Sequence, residues 1–91
     1  MIELGSFYES FLRAAQHYSV LDKKLAQRFI DAVDEAKRKI NSFPKAGKPR
    51  DGYRMVFLKG FPYRFCYMEN EEGEIIALVL FHFKQRGILS L

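Results

Sequence analysis

Through the first half of the chain apolar residues recur at three- and four-residue intervals; through the second half they alternate or run together. That change of period, from about 3.6 to 2, predicts helices followed by strands. Tyr8, Phe11, Leu12, Ala15 and Tyr18 form one apolar stripe, with Arg13, Gln16 and His17 opposite. Ser6 and Glu9 stand at capping-box spacing and predict the start of this helix. Asp22 can cap a second helix, whose stripe is Leu25, Phe29, Val33, Ala36 and Ile40 and which Pro44 stops. Glu35 with Lys39, and Asp34 with Arg38, have the i,i+4 order that favours ion pairs. The short link between the stripes predicts an antiparallel helical hairpin.

Pro44, Gly47, Pro49 and Gly52 mark residues 44–52 as a loop. Strands are predicted at Tyr53–Leu58, Tyr63–Met68 and Glu74–Phe83, with turns at Lys59-Gly60 and Glu69–Gly73. Ile2-Glu3-Leu4 suits a stub of edge strand. Strict alternation gives the last strand the faces Ile75/Ala77/Val79/Phe81/Phe83 and Ile76/Leu78/Leu80/His82. Both faces are apolar, and a helical hairpin covers only one. Curvature of the sheet, the N-terminal segment or a partner chain is left to cover the other. The expected fold is α+β: one domain over residues 1–91, with an N-terminal helical hairpin packed on a small, mainly antiparallel sheet.

Nine Phe and five Tyr supply much of the burial so short a chain needs. The single cysteine, Cys66, excludes an internal disulfide and asks for no oxidising compartment. No apolar run approaches the roughly 20 residues of a membrane span. The first residues also lack the pattern of a signal peptide, so a cytoplasmic location is expected. Two His and one Cys give no metal spacing, and no cofactor motif is present. The net charge is only +4, but nine of the fifteen Lys and Arg lie between Lys37 and Arg64, where Asp51 is the one acid. Such a segment suits either an anionic partner, nucleic acid or acidic protein, or a solvated basic loop.

Four local patterns, in order, resemble the RelE/ParE superfamily of toxins and plasmid stabilisation proteins. They are Ala14-Ala15-Gln16-His17-Tyr18, Phe43-Pro44-Lys45-Ala46-Gly47, Phe61-Pro62-Tyr63-Arg64-Phe65-Cys66-Tyr67 and Leu80-Phe81-His82-Phe83-Lys84-Gln85-Arg86. The order of elements resembles the superfamily as a whole, and the Phe61-Pro62-Tyr63 pattern is more similar to ParE than to RelE. Membership implies the toxin half of a type II toxin–antitoxin system, neutralised by a cognate antitoxin. It leaves the target open. A ParE-like member implies a binding protein that inhibits DNA gyrase. A RelE-like member implies an enzyme, a ribosome-dependent mRNA endoribonuclease. A third alternative is a non-toxic relative kept as a partner-binding domain.

In the RelE-like case the resemblance implies a catalytic set of Arg54, Arg64, His82 and Arg86. Arg64 would stabilise phosphate, Arg54 would stand where those enzymes have a lysine, and His82 would serve as a general base. Against it, Val56 stands where a second lysine is expected, and residues 87–91 hold no tyrosine. In the ParE-like case Arg54, Arg64, Lys84 and Arg86 become contacts to target or antitoxin, and His82 a hydrogen-bonded structural residue. Cys66 reads as a buried small hydrophobe. Tyr53, Tyr63 and Tyr67 read as core or partner contacts rather than base-stacking platforms.

Overall fold

The computed structural model describes residues 1–84. The chain runs β1 (Ile2–Glu3), α1 (Gly5–Leu21), α2 (Lys23–Ser42), β2 (Lys48–Arg50), β3 (Tyr53–Phe57), β4 (Tyr63–Glu69) and β5 (Ile75–His82). The strands form one sheet in the order β1-β5-β4-β3-β2. All pairs are antiparallel except β1 with β5. This is the expected α+β arrangement of two helices on a small sheet. The one addition is β2, which the proline and glycine pattern had placed in a loop. Pro49 is tolerated there because β2 is an edge strand.

The α2 stripe is buried as its spacing requires: Ala26, Phe29, Ala32, Val33, Ala36 and Ile40 face the core. Asp22 alone links the helices. Its carboxylate accepts from the Lys24 N–H at 2.8 Å, while its own N–H donates to Tyr18 O at 2.8 Å. One residue thus caps the second helix and closes the first. In α1 the buried stripe is rotated from the expected one. Phe7 and Ala14 are buried and Phe11 and Tyr18 packed beside them, whereas Tyr8 and Leu12 are exposed. The ion pairs expected along α2 are absent. Among the described residues the one pair within 4 Å joins Lys37 to Glu3, at 2.8 Å. Exposed i,i+4 pairs gain too little to hold long side chains in one geometry.

The capping box is also absent, for a reason that bears on the sheet. The helix begins at Gly5, and Leu4 before it gives no side-chain cap. Leu4 N–H donates to Ala77 O at 3.1 Å, extending the parallel pairing of β1. Ser6, now in the first helical turn, donates its hydroxyl to Leu78 O at 2.6 Å. One turn later Ser10 Oγ accepts from the Leu80 N–H at 2.9 Å. Two serines on α1 therefore take over the edge of β5 where β1 stops, blunting an edge that could pair with another chain. Ser10→Ala leaves the Leu80 N–H without its acceptor. The expected cost is about 1–2 kcal/mol in urea unfolding, with faster amide exchange at Leu80.

Strand β5 does not keep strict alternation. Tyr67 pairs with Ala77 and Cys66 with Val79, so Leu78 is the extra residue of a β-bulge. Beyond it every side chain changes face. Ile75, Ala77 and Leu80 all join the helix-side core with Phe65 and Tyr67. His82 follows them, opposite Tyr63. The other face carries Val79 and Phe81, paired with Cys66 and Arg64.

Candidate functional site

Arg54 lies on the helix side of β3, opposite the core residue Tyr67. Its Nη1 donates to Gly47 O at 2.8 Å and Lys45 O at 3.3 Å, so the guanidinium ties down the segment after α2. Tyr67 works on the same segment. Its hydroxyl donates to Pro44 O at 2.7 Å and accepts from the Gly47 N–H at 2.9 Å.

Arg64 points to the opposite face. Its cross-strand partners are Phe57 on β3 and Phe81 on β5. The guanidinium lies 5.8 Å from the ring centre of Phe57 and 5.1 Å from that of Phe83. Those rings meet edge to face, 5.5 Å apart at 85°. Phe57 is 67% exposed and Phe83 46% exposed, although both are large and apolar. Arg64 Nε is buried and has no hydrogen-bond partner among the described residues.

His82 is on the helix side again. Its ring meets Tyr63 edge to face at 5.0 Å, and its Nδ1 accepts from the Lys84 N–H at 3.0 Å. With Arg13, His17, Tyr18 and Tyr63 it lines a cleft of about 370 Å³ beside α1. Lys84 is exposed just past β5. Arg86 lies outside the described residues.

The structure therefore separates the candidate catalytic residues. Arg64 occupies one face of the sheet, and Arg54 and His82 the other. Along β4 their partners Tyr67 and Tyr63 are four residues apart. That places Arg54 and His82 roughly 13 Å apart along the strands, and about 10 Å across two strand spacings. No phosphate could touch all three.

Cys66 is buried between Met55 and Val79, and burial pushes its thiol up to about 11 while Arg64 pulls it down. Burial likewise raises Tyr63 and Tyr18. These groups stay protonated in the fold at pH values where the unfolded chain ionises. Their contribution is complete below the unfolded pKa of about 8.5–9 for the thiol and is lost as pH rises toward 11. Cys66→Ala should flatten the fall in unfolding free energy between about pH 9 and 11. Among the described residues no group of His, Cys, Asp or Glu could hold a metal ion, and no helix is long and apolar enough to cross a membrane.

The sequence reading missed the company of Arg64. Phe57 stands at a strand position that alternation turns away from the core. Lys48 and Arg50 reach the same face because β2 pairs them with Met55 and Tyr53.

The family profile described as the ParE toxin of the type II toxin–antitoxin system parDE matches residues 7–86. The chain belongs to the ParE toxin family. The fold agrees with a solved chain of the chromosomal ParDE toxin–antitoxin system from P. aeruginosa. The TM-score is 0.66 and the identity 17%, over 90% of this chain and 92% of that one. No match to a curated protein sequence was found. Three of the four motifs that carry the ParE resemblance now have structural roles. Tyr67 from one motif bonds to Pro44 and Gly47 from another. Tyr18 from a third packs against Phe61 and Tyr63 at 5.1 and 6.4 Å. These contacts give three of the motifs a part in holding the fold together.

Proposed function

We propose that this chain is a ParE-like toxin that stops bacterial growth by binding and inhibiting a target such as DNA gyrase, and that a cognate antitoxin neutralises it in the cytoplasm. The observation that carries this reading is the dispersal of the basic candidates. A ribonuclease needs a base, an acid and cationic donors around one phosphate. Here Arg54 is spent on loop carbonyls, and Arg64 and His82 face opposite ways. A binding toxin needs no such convergence. It needs an exposed recognition surface, and the ring-flanked Arg64 supplies one.

The test is tightly controlled induction in bacterial cells, with DNA and protein synthesis followed over the first minutes. DNA synthesis is expected to fall first, and purified protein to inhibit gyrase supercoiling. An early fall in protein synthesis, with ribosome-dependent mRNA cuts that vanish in Arg64→Ala, would instead establish the RelE-like activity. Unchanged synthesis while soluble protein accumulates would identify a non-toxic relative.

A further inference from the structure

The cleft between α1 and the end of β5 is lined by hydrogen-bond donors and aromatic rings. Arg13 and His17 stand one turn apart on α1, and both are exposed. From His17 the wall continues through Tyr18, Tyr63 and His82, with successive ring centres 5.3, 6.4 and 5.0 Å apart. Ala14 and Leu80 close the bottom. The cleft holds about 370 Å³, within the range of roughly 300–1,000 Å³ usual for small-ligand sites.

The donors of this lining lack acceptors. Arg13 makes no hydrogen bond or ion pair with any described residue, and Glu9, one turn before it, forms no ion pair with it. Tyr18 and Tyr63 are half-buried and their rings are packed, yet neither hydroxyl bonds to a described residue. Burial, and then the nearby Tyr63, raise the Tyr18 pKa, which places the two hydroxyls within range of one another. Ser10 differs: its hydroxyl donates to Phe7 O and accepts from the Leu80 N–H. No Asp or Glu lines the cleft among the described residues. An arginine and two phenols around a cavity without a carboxylate call for an acceptor brought by a ligand.

We propose that this cleft binds a small phosphate monoester carried on a flat ring. The phosphate is held by Arg13, His17 and the tyrosine hydroxyls, and the ring lies against the aromatic wall. The inference is independent of the toxin reading above. Phosphate is selected over carboxylate by the number of donors. Its three terminal oxygens can accept from the arginine fork and from both hydroxyls at once, whereas a carboxylate engaged by the fork has used both of its oxygens. The ring is selected by the wall, whose edge-to-face rings offer a ligand both faces and edges. A single arginine suits one phosphate. A nucleic-acid strand depends on the repeated neutralisation of many.

The experiment is NMR titration of the labelled full chain with four probes: phenyl phosphate, adenosine monophosphate, inorganic phosphate and benzoate. The two esters are expected to shift the ring resonances of Tyr18 and Tyr63 at millimolar concentration. Inorganic phosphate lacks the ring and benzoate lacks the phosphate, and each should bind about tenfold more weakly than phenyl phosphate. The tighter of the two esters distinguishes a nucleotide from a phenolic phosphate as the source. Arg13→Gln changes an exposed side chain and should keep a folded amide spectrum while weakening both esters about tenfold, the loss of a charge-assisted hydrogen bond. Tyr63→Phe keeps the ring and should weaken them roughly two- to tenfold. Arg38→Gln removes an exposed cation outside the cleft and should leave binding unchanged. Equal losses in Arg13→Gln and Arg38→Gln would reduce the binding to general charge attraction and overturn the proposal. So would benzoate or inorganic phosphate binding as tightly as phenyl phosphate, or no response of Tyr18 and Tyr63 to millimolar ester.

Discussion

Phe29→Ala is expected to cost the protein a large part of its folding free energy. The ring is fully buried at the point where the helical hairpin meets the sheet. Four aromatic rings surround it: Phe11 at 6.0 Å, Tyr18 at 5.2 Å, Phe61 at 5.3 Å and Tyr63 at 5.5 Å. Removing it forfeits the ring's transfer energy and opens a cavity that these bulky neighbours cannot collapse into, a loss of about 3–5 kcal/mol. A domain of this size has a total stability of only about 5–14 kcal/mol. The midpoint of thermal unfolding should fall by roughly 12–40 °C, read by circular dichroism. Phe29→Leu, which keeps much of the volume, should lose well under half as much. Equal losses in the two variants would show that the site relaxes freely and that the aromatic packing is dispensable.

That cluster was legible in the sequence only in part. The α2 stripe, with Phe29 and Val33 at its centre, follows directly from spacing, because a long helix with one wet face has one solution. The α1 stripe was misread by one position, Tyr8 for Phe7. Both rings fit a helical stripe, and only the docking of α1 on β5 decides between them. The faces of β5 could not be read at all beyond Ala77. A bulge reverses every later side chain, and nothing in an unbroken apolar run announces where the extra residue falls. The same reversal moved His82 to the helix side, away from Arg64. Sequence similarity had grouped these residues as one site because it orders them along the chain and carries no information about which face each one takes.

The capping box failed for a related reason. Ser6 and Glu9 satisfy the local rule, but β1 had already placed Ser6 beside the open edge of β5, where its hydroxyl meets Leu78 O. A long-range acceptor competed with a local one and won. Cys66 went the other way. Its reading as an inert buried residue needed only its place in a strand and the absence of a neighbouring base, and the fold raises its thiol pKa.

Gly47→Ala is the second large loss expected, and it tests why two separated motifs belong to one structure. A methyl group on Gly47 would lie 2.6 Å from Tyr67 Oη, 2.9 Å from Tyr67 Cε1 and 3.0 Å from Arg54 Cβ. Tyr67 cannot swing aside cheaply, because it is fully buried and its hydroxyl is held by Pro44 O and the Gly47 N–H. Either the segment after α2 moves off the sheet or the Tyr67 hydrogen bonds break. Overpacking contributes about 1–3 kcal/mol and the stranded polar groups a further 1–3 kcal/mol. The expected total is about 2–6 kcal/mol by urea unfolding. Tyr67→Phe alone should cost about 1–3 kcal/mol, since Pro44 O and the Gly47 N–H lose their shared partner without a clash. Because both changes strike one contact, the double variant should be less destabilised than the sum of the two. Additive losses would mean that the added methyl is resisted by Arg54 Cβ and not by the tyrosine.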